Sequence, residues 1–199
     1  MGWFDRFRKR ATEPARDAAP EPAAERIDFT PLVEMAAIIT RDDPRVAEDI
    51  ALLVADPGEF RSRHETWFDE MSYPWPDSPG SEDMLFVFAY WLVGYETPHA
   101  YGVYIDWKEA PGDIVWQLQP VLTSLGVAID VSGERFDESE GDTWSALVRI
   151  AQRLEAAGCT LAIIDTMSDC YHLYVVPSAS YPRLVALAES VRFRVYAPG

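Results

Sequence analysis

Apolar residues recur at helical spacing early in the chain. Leu32, Val33, Ala36, Ala37 and Ile39 follow Pro31, and Val46, Ile50, Leu53 and Val54 follow Pro44, which predicts amphipathic helices over 31–40 and 44–55. A third helix is predicted over 59–71. The segment SYPWPDSPG, residues 72–80, carries three prolines and reads as a loop. Residues 82–94 are apolar nearly all round (Met84, Leu85, Phe86, Val87, Phe88, Trp91, Leu92), the pattern of a helix inside the core.

The period then changes to two. YGVYIDW, residues 101–107, reads as a strand with Tyr101, Val103, Ile105 and Trp107 on one face and Tyr104 and Asp106 on the other. Helical spacing returns over 111–125 through Ile114, Val115, Leu118, Val121 and Leu122, with Pro120 expected to kink or divide the helix. A short strand is expected at 127–131 and an acidic loop at 134–141. Asp142 is placed to cap a helix whose Trp144, Leu147, Val148, Ala151 and Leu154 face inward, and Gly158 follows its end.

Residues 160–165 and 170–176 are two strands separated by 166–169, which predicts an antiparallel hairpin. Ser178 or Ser180 opens a last helix through Leu184, Leu187, Ala188 and Val191, and 193–196 forms a closing strand. Helices followed by strands interleaved with helices describe an α+β domain with a small mixed or antiparallel sheet. No Gly-rich phosphate loop stands at a strand-to-helix junction, so a nucleotide-binding doubly wound fold is not supported.

Composition sets the bounds. The chain has 199 residues, of which 48% are hydrophobic, enough for one substantial core in a domain over 27–199. Residues 11–26, ATEPARDAAPEPAAER, lack large apolar side chains and read as a semi-extended linker. Residues 1–10, MGWFDRFRKR, are a basic tail with three aromatics, expected to make at most weak contact with an anionic membrane surface. Gly2 does not mark a myristoylation signal, because Arg6 stands where Ser or Thr is required.

The formal charge of −16 argues against nucleic acid and for a basic protein partner. Without the tail, thirteen basic residues face thirty-two acidic ones, leaving −19. Two cysteines make no disulfide framework, and no apolar run is long enough to span a bilayer, so a cytoplasmic location is expected.

Candidate chemistry concentrates in IDTMSDCYHLYVV, residues 164–176. Strand alternation puts Cys170, His172, Tyr174 and Val176 on one face. Asp165 and Asp169 have an architectural role open to them, bonding turn amides, and His172 that of a satisfied structural imidazole. The chemical alternative has Asp106, Asp165, Asp169 and His172 lining one pocket of a small metal-dependent hydrolase, with the three carboxylates around a divalent cation. Cys170 has no adjacent base aimed at it, and the spacing of His64 and His99 matches no metal motif. No cofactor is called for.

Trp75, Trp107, Lys108 and Trp116 are the candidate binding residues. Tryptophan is usually buried, so Trp107 and Trp116 are expected to be core; if exposed, they are natural anchors for a protein partner. Lys108 is the only lysine outside the tail, and either pairs with Asp106 or Glu109 or marks a cleft.

The motifs YIDWKEAPGDIVWQL and LAIIDTMSDCYHLYVVP resemble an uncharacterised family of bacterial proteins, domain of unknown function family 6630. The resemblance runs from about Ala100 to the C-terminus and is carried by Asp106, Trp107, Lys108, Trp116, Asp165, Ser168, Asp169, Tyr171 and His172. It implies no activity. In acidic, tryptophan-rich character the chain is also similar to small bacterial immunity proteins that neutralise toxins, a likeness of composition and not of motif. The expected function is therefore that of a non-enzymatic, acidic, protein-binding module of immunity or regulatory type.

Overall fold

The computed structural model describes residues 27–94, 97, 99–131 and 142–199. The predicted tail and linker over 1–26 and the acidic loop over 134–141 lie outside them. The elements are α1 (Pro31–Thr40), α2 (Pro44–Ala55), α3 (Pro57–Arg63), α4 (Glu65–Met71), α5 (Ser81–Leu92), β1 (Gly102–Asp106), α6 (Pro111–Ser124), α7 (Thr143–Ala156), β2 (Cys159–Ile164), β3 (Cys170–Pro177), α8 (Tyr181–Ser190) and β4 (Val195–Tyr196). The protein is α+β, and its four strands form one sheet in the order β1-β3-β2-β4 with every pairing antiparallel.

The sheet separates two cores. Ala162, Ile164, Tyr174 and Val176 meet α1, α2, α5 and α8 on one face. Val103, Ile105, Leu161, Ile163, Leu173 and Val175 meet α6 and α7 on the other. The single core expected from composition is thus two, and β2 and β3 are near-continuous apolar runs because both of their faces are covered.

Local chemistry explains most boundaries. Asp43 caps α2 by accepting the Arg45 amide at 2.9 Å, with Pro44 at the first helical position. Asp142 caps α7 through the Ser145 amide at 2.8 Å, and Gly158 takes the left-handed conformation after its end.

Three expectations are corrected. The helix predicted over 59–71 is two helices, α3 and α4, broken at His64, whose backbone leaves helical geometry at φ −113°, ψ 29°. Pro120 lies within α6 without dividing it. Residues 127–131 do not form a strand, since the Gln119 side chain takes the place of a sheet partner. Its Nε2 donates to the Ile129 carbonyl at 3.2 Å, and its Oε1 accepts the Val131 amide at 2.9 Å.

Candidate functional site

The β2–β3 connection and the end of β1 meet at one edge of the sheet. Asp106 is the register partner of Cys170, and the Trp107 amide donates to the Asp169 carbonyl at 3.4 Å. Each carboxylate also organises its own turn. Asp106 Oδ1 accepts the Lys108 amide at 2.8 Å, and Asp165 Oδ1 accepts the Met167 amide at 2.9 Å, holding Met167 in the left-handed region. Asp165 Oδ2 faces Arg194 Nη1 at 3.3 Å, on the β4 side. Asp106 and Asp169 therefore share one end, while Asp165 is turned toward β4. Among the described residues, no three His, Cys, Asp or Glu side chains are arranged to hold a metal ion.

His172 lies beneath this tip, fully buried, with the Tyr90 ring at 4.5 Å and the Tyr104 ring at 5.5 Å. Its Nδ1 sits 3.3 Å from Thr166 Oγ1 and 3.9 Å from Cys170 Sγ. The thiol contacts Ser168 Oγ at 2.8 Å, and Ser168 Oγ in turn contacts Thr166 Oγ1 at 2.7 Å. Nε2 is buried with no hydrogen-bond partner. Burial pushes the imidazole down to about 3, so it is neutral at pH 7. The expected satisfied imidazole is thus satisfied at Nδ1 alone, with Nε2 enclosed and unpartnered. A surface hollow of about 490 Å³, lined by Gln119, Thr123, Gly126, Val127, Ile129 and Asp130, includes none of these groups.

The expected burial of Trp107 and Trp116 is overturned: they are 50% and 76% exposed, and Met167 is 86% exposed. Trp107 follows the last residue of β1, where the strand runs out of neighbours to cover it. Trp116 lies on the second turn of α6 opposite the face carrying Ile114, Val115 and Leu118. Among the described residues Lys108 forms no ion pair with a carboxylate; its Nζ stands 4.3 Å over the Trp107 ring, a cation–π contact. Trp75 is not part of this surface. It is half-buried and meets Phe68 edge-on at 5.3 Å, while its neighbour Tyr73 stacks on Phe86 at 4.0 Å.

A second polar group, absent from the sequence reading, joins α2, the α3–α4 break and the segment before β1. His99 is buried and its Nε2 meets Asp49 Oδ2 at 2.9 Å, while His64 Nε2 stands 3.8 Å from Asp49 Oδ1. The Trp91 ring lies 4.5 Å from His64 and 5.6 Å from His99. Burial lowers the His64 pKa, with Asp49 opposing that shift and His99 adding to it. No local motif signals this group, because its members are 15 and 35 residues apart along the chain.

Replacing Asp49 by alanine strands the buried His99 Nε2. The expected loss is about 2 kcal/mol of unfolding free energy, read from denaturant midpoints, with the asparagine variant intermediate.

The family model described as Domain of unknown function (DUF6630) matches residues 31–198. The match takes in the α1–α5 layer as well as the two motifs. No curated protein and no solved structure matches the chain.

Proposed function

We propose, from the premise that the chain belongs to the DUF6630 family of domains of unknown function, that it is a non-enzymatic module that binds a basic protein and neutralises or regulates it. The observation that carries this reading is the exposure of Trp107, Trp116 and Met167 on a strongly acidic body. Large apolar side chains left in water add nothing to folding and become favourable only when a partner covers them, and tryptophan dominates the centres of protein interfaces. Asp106, Asp113 and Asp169 stand exposed near them, supplying a rim complementary to cations. The net charge favours fast capture of a basic partner and disfavours nucleic acid. Both cysteines are free and buried, and no described helix is long and apolar enough to cross a membrane. These features support action in a reducing cytoplasm.

The test is affinity capture from the producing cell, followed by titration with the purified captured protein. The expected partner is basic, and Trp107→Ser and Trp116→Ser each weaken it by about 1–2 kcal/mol. Retention of no protein, or binding indifferent to both substitutions, refutes the reading.

A further inference from the structure

We infer that the exposed end at Trp107 and Met167 also receives the chain's own first ten residues; this rests on the protein-binding reading above and names the chemistry that surface accepts. The segment MGWFDRFRKR combines Arg6, Arg8, Lys9 and Arg10 with Trp3, Phe4 and Phe7, against the single acid Asp5. A matching surface must offer carboxylates and uncovered apolar area together.

Charge alone would send this segment to residues 27–94, which carry fourteen acidic and four basic side chains. Among the described residues, however, the large apolar side chains standing exposed are Tyr104, Trp107, Trp116 and Met167, none of them in that layer. The end of the sheet supplies both requirements, with Asp106, Asp113 and Asp169 exposed in the segments that carry Trp107, Trp116 and Met167.

The Trp107 ring is moreover already a seat for a cation, since Lys108 Nζ rests 4.3 Å above it. An arginine arriving from residues 6–10 has the better shape for that place, because a planar guanidinium stacks on an indole where an ammonium only points at it.

Reach is sufficient. A stretch of sixteen residues, the length of 11–26, can span up to about 50 Å at the rise of a proline-rich chain. A domain of this size has a radius of gyration of about 16 Å. Tethering holds the segment at an effective concentration in the millimolar range, so weak intrinsic affinity suffices for occupancy. The segment thereby competes with an incoming basic partner.

Calorimetric titration of a synthetic peptide of residues 1–10 tests this, using two full-length proteins: the unaltered chain and the variant Arg6→Glu, Arg8→Glu, Lys9→Glu, Arg10→Glu. The peptide is expected to bind the variant at least about tenfold more tightly, because the tethered competitor has been removed. Adding Trp107→Ser and Met167→Ser to the variant is expected to abolish that binding. Equal affinity for the two proteins overturns the inference, as does binding that survives the paired serine substitutions. So does a peptide that binds anionic phosphatidylserine vesicles and neither protein. If the peptide fails while a captured basic partner still depends on Trp107, this inference falls alone; if nothing depends on Trp107, the parent reading falls with it.

Discussion

Replacing Gly102 by valine is expected to cost at least about 3 kcal/mol, enough to leave much of the protein unfolded at moderate temperature. Gly102 is the register partner of Tyr174, and the tyrosine ring lies across the space a side chain would fill. A Cβ there would stand 2.5 Å from the Leu173 carbonyl oxygen and 2.7 Å and 2.8 Å from ring carbons of Tyr174. The carbonyl belongs to the central strand and cannot swing away as the tip of a long side chain could. The ring is equally constrained, because the Tyr174 hydroxyl donates to the Ala89 carbonyl of α5 at 2.8 Å and the side chain is fully buried.

One glycine therefore lets an aromatic bridge the β1 edge strand, β3 and the helical layer, an arrangement known to compensate glycine within sheets. Even alanine meets the same contacts. Denaturant unfolding of Gly102→Ala and Gly102→Val measures the cost, and a loss under about 1 kcal/mol for both would show that β1 yields without penalty.

Acidification is expected to remove about 3 kcal/mol of stability between pH 7 and pH 4 through His172 alone. The buried imidazole titrates at about 3, below the ordinary histidine value of 6.5. The unfolded chain thus takes up a proton below pH 6.5 that the folded chain refuses. Stability is complete above that point and declines as the pH falls toward 3. His64, also lowered by burial but only half-enclosed, adds a smaller loss of the same sign. The depressed carboxylates Asp43, Asp28, Glu34 and Asp142 add losses of the same sign below about pH 5, where the unfolded chain begins to protonate them and the folded chain does not. The upper part of the interval, from 6.5 to about 5, therefore belongs to His172 and His64.

His172→Phe keeps a ring between Tyr90 and Tyr104 and removes the proton acceptor. Its unfolding free energy is expected to be much flatter over that interval, as read from urea midpoints at successive pH values. An unchanged slope in the variant would assign the acid sensitivity elsewhere.

The local grammar of the chain was readable and its long-range meetings were not. Pro31, Pro44 and Asp142 announced α1, α2 and α7 because helix starts depend on residues within one turn. Alternation along 170–176 correctly put Cys170, His172 and Tyr174 on one face. It could not show that Leu173 and Val175 on the opposite face were covered by a second layer. The break at His64 left no trace in pattern, because Phe60, Trp67, Phe68 and Met71 are all buried across it without a proline or glycine between them. Trp107 and Trp116 misled because burial is the ordinary fate of tryptophan, and a side chain kept for a partner has the same composition as one kept for a core. The meeting of His64 and His99 over Asp49 depends on how α2, the α3–α4 break and the segment before β1 pack, which no window of sequence contains.

The arrangement of the two cores bears on how the protein is made. The layer of α1–α5 is synthesised well before the surfaces that close over it, Tyr174 and Val176 on β3 and Leu184 and Leu187 on α8. The second layer waits in the same way for Leu161 to Val175. Neither half can therefore shelter its apolar side chains until translation has passed β3, so a chain stopped before that strand leaves both layers open to water.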